Sequence, residues 1–204
     1  MPLDDVPPAS RRPELREVRD AQSLRALSHP VRLALIETLS LQGPMTATEA
    51  GAQIGESPTT CSFHLRQLAK YGFVEEAGGG KGRARPWKMR TIGMRIPDVS
   101  GDAEAELAAG VLTRLLRERQ LIRYQTWLET RAAYPARWRH AAGDSESVLY
   151  VTVEELEELS EELHALLLTR FRERITDPAA RPPGALPVEV LVLSYPIAPP
   201  PPQG

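Results

Sequence analysis

The stretch "SPTTCSFHLRQLAKYGFVEE", residues 57–76, predicts one amphipathic helix that is followed by a turn and a strand. Ser57 has the side chain that helix N-caps favour, and Pro58 suits the first helical turn, where its missing N–H is not needed. Gly72 follows at a suitable length, because glycine readily takes the left-handed conformation found at helix C-termini. The predicted helix therefore spans residues 57–71.

The faces of this helix differ in chemistry. At about 100° per residue, Cys61, Leu65 and Leu68 share one apolar face. Short hydroxyl side chains permit close approach to base edges and phosphates, and Arg and Gln can make bidentate contacts with bases. A solvated surface without a nucleic-acid partner is the plainer interpretation. The candidate DNA contacts on this helix are Ser57, Thr59, Thr60, Ser62, Phe63, His64, Arg66, Gln67 and Lys70.

Cys61 and His64 suggest a thiol or metal site at first inspection. Cys61 is the only cysteine of the chain, and its place on the apolar face favours a small buried side chain over a reactive thiol. His64 borders that face. Its position leaves two roles open, packing against the core and contact with a phosphate. No second metal ligand of matching spacing lies nearby, so the sequence predicts neither a metal site nor a cofactor.

Three further helices are predicted before this one. Residues 15–41 carry leucines at spacings of three and four, which is typical of a helix, and His29-Pro30 divides the segment into two. Residues 46–54 form a short third helix that opens with the capping-box pattern Thr-x-x-Glu. Gly55 then provides the turn into the helix that begins at residue 57.

The stretch "FVEEAGGGKGRARPWKMR", residues 73–90, predicts a β-hairpin with a glycine-rich tip. A flexible basic tip suits contact with phosphates or the minor groove, and a solubilising loop is the alternative. The candidate contacts here are Lys81, Arg83 and Arg85. Helix, turn, helix and basic hairpin together outline a winged helix-turn-helix domain over residues 14–95.

The charge of the chain is unevenly distributed. The net charge of the 204 residues is −2, which gives no hint of nucleic acid. Residues 57–95, however, carry eight basic and two acidic residues. This local excess is the electrostatic signature expected of a surface that meets DNA.

The amino-acid composition also indicates the cellular compartment in which the protein works. A single cysteine cannot form an intramolecular disulfide, which favours a reducing environment. No apolar run reaches the ~18 residues of a membrane span, and the N-terminus lacks the apolar core of a signal peptide. We therefore expect a cytoplasmic protein, associated with the bacterial nucleoid when it is bound to DNA.

The second half predicts a mainly α region with a small β component. A long helix is expected from Asp102 to Arg131, and a strand–helix–strand arrangement follows, with strands at 148–151 and 187–197 around a helix that opens at Thr152. We interpret residues 96–197 as a dimerisation region, in which the long helix pairs across the dimer axis, and leave a small-molecule effector open. Residues 1–13 and 198–204 are predicted to be a flexible arm and a proline-rich tail.

The motifs "LRALSHPVRLALIETL" and "TATEAGAQIGESPTTCSFHLRQLAKYGFVEE", together with the Gly/Arg hairpin, resemble the ArsR family of bacterial winged helix-turn-helix regulators. The likeness covers residues 21–90. It implies a homodimeric transcriptional regulator that binds operator DNA, and most such proteins repress their own operons. At one position of the family's motif, Ile36 stands in place of the usual leucine. The other motif positions are matched by Leu24, Leu27, Pro30, Arg32, Leu33, Ser57, Thr60, Ser62, His64, Leu65 and Leu68.

The sequence departs from the metal-sensing members of that family. Those members carry paired cysteines before the recognition helix, or His and Asp pairs on the helix after the wing. Here "TATEAGAQIG" has no thiol and the long helix at 102–131 has no histidine. Soft-metal sensing needs several thiolates, which one cysteine cannot supply.

The sequence leaves two alternatives to a DNA-binding regulator. A winged helix that binds an acidic protein partner would use the same basic surface. An enzyme is the weakest alternative, because no nucleophile–base motif is present and "GGGKGR" lacks the strand-to-helix setting of a phosphate-binding loop. We therefore expect a protein that is not an enzyme.

Overall fold

The computed structural model describes residues 15–78, 85–97 and 101–199. The predicted arm at 1–13 lies outside these residues. The described chain separates into two compact units, residues 15–147 and residues 148–199. The predicted boundary after residue 95 differs from this division, because the long helix packs against the core of the first unit.

The first unit is a winged helix-turn-helix domain extended by helices at its C-terminal end. In its wing, the strands Val74–Glu76 and Trp87–Met89 pair antiparallel, and Val74 lies opposite Met89. The strands Arg16–Glu17 and Met94–Arg95 pair in parallel. Its helices are α1 (Ala21–Leu27), α2 (Pro30–Gln42), α3 (Ala47–Ile54), α4 (Pro58–Lys70), α5 (Ala103–Thr130) and α6 (Ala136–Ala141), with a 3-10 turn at Arg131–Ala133. Its strands are β1 (Arg16–Glu17), β2 (Val74–Glu76), β3 (Trp87–Met89) and β4 (Met94–Arg95).

The predicted break between the first two helices is confirmed. His29 caps α2, and its Nδ1 accepts a hydrogen bond from the Val31 N–H at 3.2 Å. The expected helical start at residue 15 is wrong, because α1 begins only after Asp20, whose carboxylate accepts from the Ser23 N–H. Residues 15–20 instead run extended beside β4, where the backbone gains hydrogen bonds that one isolated helical turn would not provide.

The core of the first unit is formed by leucines of α1, α2 and α4 and is closed by Phe73 and Trp87 of the wing. The long helix α5 is linked to the helices of this core by Glu37 of α2. The Glu37 carboxylate accepts hydrogen bonds from Arg119 and from Arg123 (2.7 Å). Partial burial acts to raise the pKa of Glu37, but the bonds from Arg119 and Arg123 outweigh it and hold the pKa below its ordinary value. This carboxylate therefore stays ionised and links α5 to α2, while the helix itself packs mainly against α1.

The turn between α3 and α4 brings the start of α4 very close to α3. Gly55 has φ +74°, the left-handed conformation that glycine adopts without strain. A Cβ built on Gly51 would lie 2.6 Å from the backbone oxygen of Glu56 and 3.5 Å from the sulfur of Cys61. Two glycines thus allow α4 to follow α3 at this short distance.

The second unit contains one long helix, α7 (Val153–Thr176), and a 3-10 turn at Pro178–Ala180. The helix predicted to open at Thr152 does begin there, with a capping box: the Thr152 hydroxyl accepts a hydrogen bond from the Glu155 N–H, and the Glu155 carboxylate accepts one from the Thr152 N–H. Of the side chains of α7, only Ala165 is fully buried, and the leucines of this helix are half-buried.

The strands predicted on either side of α7 are wrong. Residues 148–151 and 187–197 have no regular secondary structure, and among the described residues neither segment pairs with a strand. Their apolar side chains remain exposed, with Tyr150 at 99%. An apolar run predicts a strand only where a neighbouring strand accepts its backbone hydrogen bonds, and the described chain provides none.

We predict that Gly51→Ala lowers the free energy of unfolding by about 1–3 kcal/mol, because the new Cβ must push the α3–α4 turn apart. Gln53→Ala, an exposed substitution on the same helix, should change it by less than about 0.5 kcal/mol. Denaturant unfolding followed by circular dichroism measures both. Equal stabilities for the two variants would contradict the close approach at Gly51.

Candidate nucleic-acid interface

The recognition helix predicted at residues 57–71 is α4. Ser57 caps it by accepting a hydrogen bond from the Thr60 N–H at 3.0 Å. Cys61, Leu65 and Leu68 are completely buried, as their shared face predicts. Burial, and next the charge of Glu56, raise the pKa of the Cys61 thiol, so this cysteine is a packing residue and not a reactive one.

The opposite side of α4 presents one continuous line of exposed side chains. Thr59, Phe63, Arg66 and Lys70 follow one another at spacings of four, three and four and are all exposed. Phe63 is 54% exposed, although its ring meets the His64 ring edge-on with centroids 5.2 Å apart. A hydroxyl, an aromatic ring and two cations therefore lie along one stripe about three turns long.

The remaining predicted contacts on α4 are partly engaged within the protein. The hydroxyls of Ser57 and Thr60 share a hydrogen bond of 2.8 Å at the cap. The Arg66 guanidinium folds back along the helix and donates to the backbone oxygen of Ser62 at 3.1 Å. Gln67 is half-buried. Of these groups, the Arg66 guanidinium is exposed and has only to turn outward to reach a ligand.

His64 lies on the inner side of α4. It is only 8% exposed, and its ring lies 4.5 Å, centroid to centroid, from that of His29. Its Nδ1 has no hydrogen-bond partner among the described residues. Of the two roles left open for it, packing is the one the structure supports, and we exclude His64 from the proposed contact surface.

The pair of histidines joins the cap of α2 to α4. Burial lowers the pKa of both rings, and the positive charge of Arg32 lowers it further. His29 adds to this for His64, while Glu56 acts weakly in the opposite direction. Both rings are therefore neutral at pH 7, and the Nδ1 of His29 is free to accept the capping hydrogen bond.

The wing is less positive than its sequence indicates. Arg85 donates to Glu76 at 2.8 Å, and Lys88 lies 3.1 Å from Glu75, its cross-strand partner. The hydrogen bond that Arg85 donates to Glu76, and the charge of that carboxylate, raise the pKa of Arg85. Counting charges along the chain missed these pairs, because they form across the hairpin. The predicted contacts Lys81 and Arg83 lie outside the described residues.

An open cleft beside α4 was not expected from the sequence. It has a volume of about 440 Å³ and is lined by Gln22, Arg25 and Arg32 together with Gln67 of α4. Arg32 donates to the backbone oxygen of Arg25 at 3.0 Å and so caps the end of α1. No local pattern could have revealed this cleft, because α1 and α4 are about forty residues apart in sequence.

The described residues form neither a metal cluster nor a membrane span. Within them, no group of three or more His, Cys, Asp or Glu side chains is arranged to hold a metal ion. None of the described helices is both long and apolar enough to cross a membrane.

Comparison with known families identifies the fold of this region. A family model described as a helix-turn-helix domain matches residues 27–77, which comprise α2, α3, α4 and β2. The comparison with curated proteins gives no significant match.

Several solved structures of bacterial regulators are similar to the chain. BigR, a transcriptional repressor from Xylella fastidiosa, is 28% identical, with coverage of 48% of this chain and 84% of BigR and a TM-score of 0.31. The homodimeric winged helix-turn-helix DNA-binding domain of Mb0332 from Mycobacterium bovis, a possible ArsR-family regulator, is 24% identical, with coverage of 50% and 80% and a TM-score of 0.32.

A third likeness is to NMB1585, a MarR family regulator from Neisseria meningitidis. It is 17% identical, with coverage of 70% of this chain and 80% of that protein and a TM-score of 0.33. Because all three TM-scores are well below 0.5, we base the function of the chain on its own residues and on the matched helix-turn-helix model.

We predict that acid destabilises the first unit through the histidine pair. Because both folded-state pKa values lie below the ordinary 6.5, the unfolded chain binds protons more readily than the folded chain. The free energy of unfolding should therefore be fully retained above about pH 6.5 and fall as the pH drops below it.

His29→Asn tests this prediction, because asparagine keeps an N-cap acceptor and removes one titrating ring. Unfolding between pH 8 and pH 5 should show a smaller loss of stability in the variant than in the wild type. Identical losses in the two proteins would show that His29 does not carry the acid sensitivity.

Proposed function

We propose that the protein is a transcriptional regulator that binds double-stranded operator DNA as a homodimer, with α4 in the major groove and the wing on the backbone or minor groove. The resemblance to the ArsR family supports its further assignment as a repressor. Such a protein would work at the bacterial nucleoid. No metal or other cofactor enters this proposal.

One observation carries it: the exposed line of Thr59, Phe63, Arg66 and Lys70 stands on the second helix of a helix-turn-helix domain. In such domains the second helix is the element that enters the major groove. A hydroxyl and an arginine can read base edges, and Phe63 can contact a thymine methyl group. This contact with a thymine methyl group would explain why the aromatic ring of Phe63 is exposed to solvent in the free protein.

The wing would contribute more to the affinity for DNA than to sequence specificity. Contacts from lysine and arginine to phosphates add salt-dependent binding on any sequence. Lys81 and Arg83 are the proposed contacts, and Arg85 would contribute after leaving Glu76. In a dimer, the two copies of α4 would meet half-sites on successive major-groove turns, about 34–36 Å apart.

Binding of a protein partner is the second candidate function. The exposure of Phe63 favours it. Aromatic residues are enriched in the centres of protein interfaces. A basic surface around one exposed ring would then receive an acidic, apolar segment. The two functions differ in their response to duplex DNA, which only the regulator must bind with sequence preference.

Selection of duplexes from a random DNA library is the experiment that tests the proposal. The regulator should enrich one motif with two related half-sites, and its affinity should fall steeply as salt rises. Recovery of random sequences, with affinity no greater than for unselected DNA, would reject sequence-specific binding and leave the protein-partner function.

We predict that Arg66→Ala costs about 1–3 kcal/mol of binding to the selected operator and relaxes base preference at one position in each half-site. Arg139→Ala removes an exposed arginine from α6 and serves as the matched control, with no loss expected. Titration of both variants against the operator and its single-base variants measures the effect. A uniform loss on all sequences would assign Arg66 to phosphate.

We predict that Glu76→Gln tightens binding on every DNA sequence by about two- to fivefold at low salt, because it frees Arg85 for a phosphate. Glu146→Gln makes the same charge change at an exposed position outside the wing and should leave the affinity nearly unchanged. Fluorescence anisotropy with operator and unrelated duplexes measures both. Equal affinities for the two variants would mean that Arg85 does not reach DNA.

A further inference from the structure

The open cleft between α1, α2 and α4 is lined by polar side chains from three separate helices. Its volume is about 440 Å³. The C-terminal end of α4 forms one wall, α1 forms another, and a single arginine comes from α2. The lining residues are Gln22, Arg25, Ala26, Arg32, Gln67 and Tyr71.

The lining of the cleft is positively charged. It contains the guanidinium groups of Arg25 and Arg32, and none of the lining residues is acidic. The Glu104 carboxylate of α5, outside the lining, pairs with Arg25, and both of these side chains are exposed. An exposed ion pair contributes little stability, so Arg25 remains available to a competing anion.

Arg32 is half-buried, and no carboxylate pairs with it in the part of the chain that the structure describes. Its Nε donates to the backbone oxygen of Ala26, and its Nη2 donates to that of Arg25 at 3.0 Å. The Nη1 has no hydrogen-bond partner among the described residues. Burial lowers the pKa of Arg32, and Tyr71 opposes this to a smaller extent. An anion in the cleft would therefore stabilise the charged guanidinium.

Three neutral side chains add further hydrogen-bonding groups to the cleft. The carboxamides of Gln22 and Gln67 and the hydroxyl of Tyr71 make no hydrogen bond to another residue within the described ranges. All three groups can donate to an oxygen atom, and the two arginines can only donate. A ligand with several anionic oxygens satisfies such a lining, whereas a cation or an apolar molecule does not.

A phosphate group matches both the charge and the donors of the cleft. It carries up to about two negative charges and about three acceptor oxygens, more of each than a carboxylate offers. Guanidinium groups bind phosphate through two parallel hydrogen bonds. We propose that the cleft binds a phosphate group, which Arg25 and Arg32 hold and Gln67 and Tyr71 orient.

Two sources can supply this phosphate group. Gln67 directly follows Arg66 on α4, so the cleft flanks the side of α4 that the proposed function places in the major groove. A phosphate of the DNA backbone is therefore one source, and it rests on the proposed function. A phosphorylated small molecule is the other, because small-molecule sites have volumes of roughly 300–1,000 Å³.

Titration of the full chain with inorganic phosphate, without DNA and at constant ionic strength, tests the site. In nitrogen-15 NMR spectra, the resonances of the Arg32 Nε–H and the Gln67 carboxamide should shift with a saturating dependence on phosphate concentration. Chloride at the same ionic strength should not reproduce these shifts. The absence of DNA keeps this measurement independent of the proposed function.

Three exposed substitutions show whether the response belongs to the cleft. Arg25→Gln should weaken phosphate binding about fivefold or more, because it removes one of the two cations. Glu104→Gln removes the carboxylate that competes for Arg25 and should tighten binding about two- to fivefold. Arg19→Gln removes an exposed arginine that is also ion-paired but lies outside the cleft, and it should leave the affinity unchanged.

The salt dependence of binding to a duplex of arbitrary sequence distinguishes the two sources. A backbone phosphate in the cleft predicts that Arg25→Gln lowers the slope of log affinity against log salt concentration by about one. Arg19→Gln should keep the slope of the wild type. An unchanged slope in Arg25→Gln, together with saturable binding of inorganic phosphate, would assign the cleft to a phosphorylated small molecule.

A phosphate affinity and a salt slope that are the same in Arg25→Gln as in Arg19→Gln would overturn the site, because any response would then be a general effect of salt. Saturable phosphate binding in a protein that enriches no DNA motif would support the site while rejecting the proposed regulator. The failure of this proposal is thus distinguishable from the failure of the proposed function.

Discussion

Burial of Cys61, Leu65 and Leu68 is the contact on which the rest of the domain depends. Once these three side chains are inside the core, the rotation of α4 is fixed and Thr59, Phe63, Arg66 and Lys70 must face outward. The hydrophobic effect thereby determines which chemistry the surface presents. Gly51 permits this packing, because a side chain there would collide with the turn that leads into α4.

Ion pairs within the wing reduce the positive charge that it presents to solvent. The wing carries an excess of basic residues in sequence, yet Glu75 and Glu76 are each used to pair with a cation of the hairpin. Exposed pairs of this kind contribute little stability, so a phosphate can compete for the same cations at small cost. The wing is therefore suited to reversible, salt-sensitive contact, whereas α4 carries the groups capable of reading sequence.

Local signals predicted the first half of the chain well. Caps, a proline at the start of a helix and leucine periodicity located α2, α3 and α4, because each signal acts within one or two turns of backbone. The position of His64 was not decided by such signals, since its burial depends on stacking with His29 from another helix. The Arg85–Glu76 pair was missed for the same reason: it requires the strand register.

The second half shows where sequence patterns mislead. The apolar runs at 148–151 and 187–197 have the composition of strands, but a strand exists only with a partner, and the described chain supplies none. The long helix α5 was predicted correctly, yet the side of it that is buried, marked by Ala105, Ala108 and Leu112, follows only from its packing.

Footprinting on the DNA upstream of the protein's own gene tests whether α4 of two copies reads DNA. We expect two protected segments centred about one helical turn apart, with protection lost in Arg66→Ala at concentrations that saturate the wild type. Uniform protection along the duplex, or protection that survives Arg66→Ala unchanged, would contradict it.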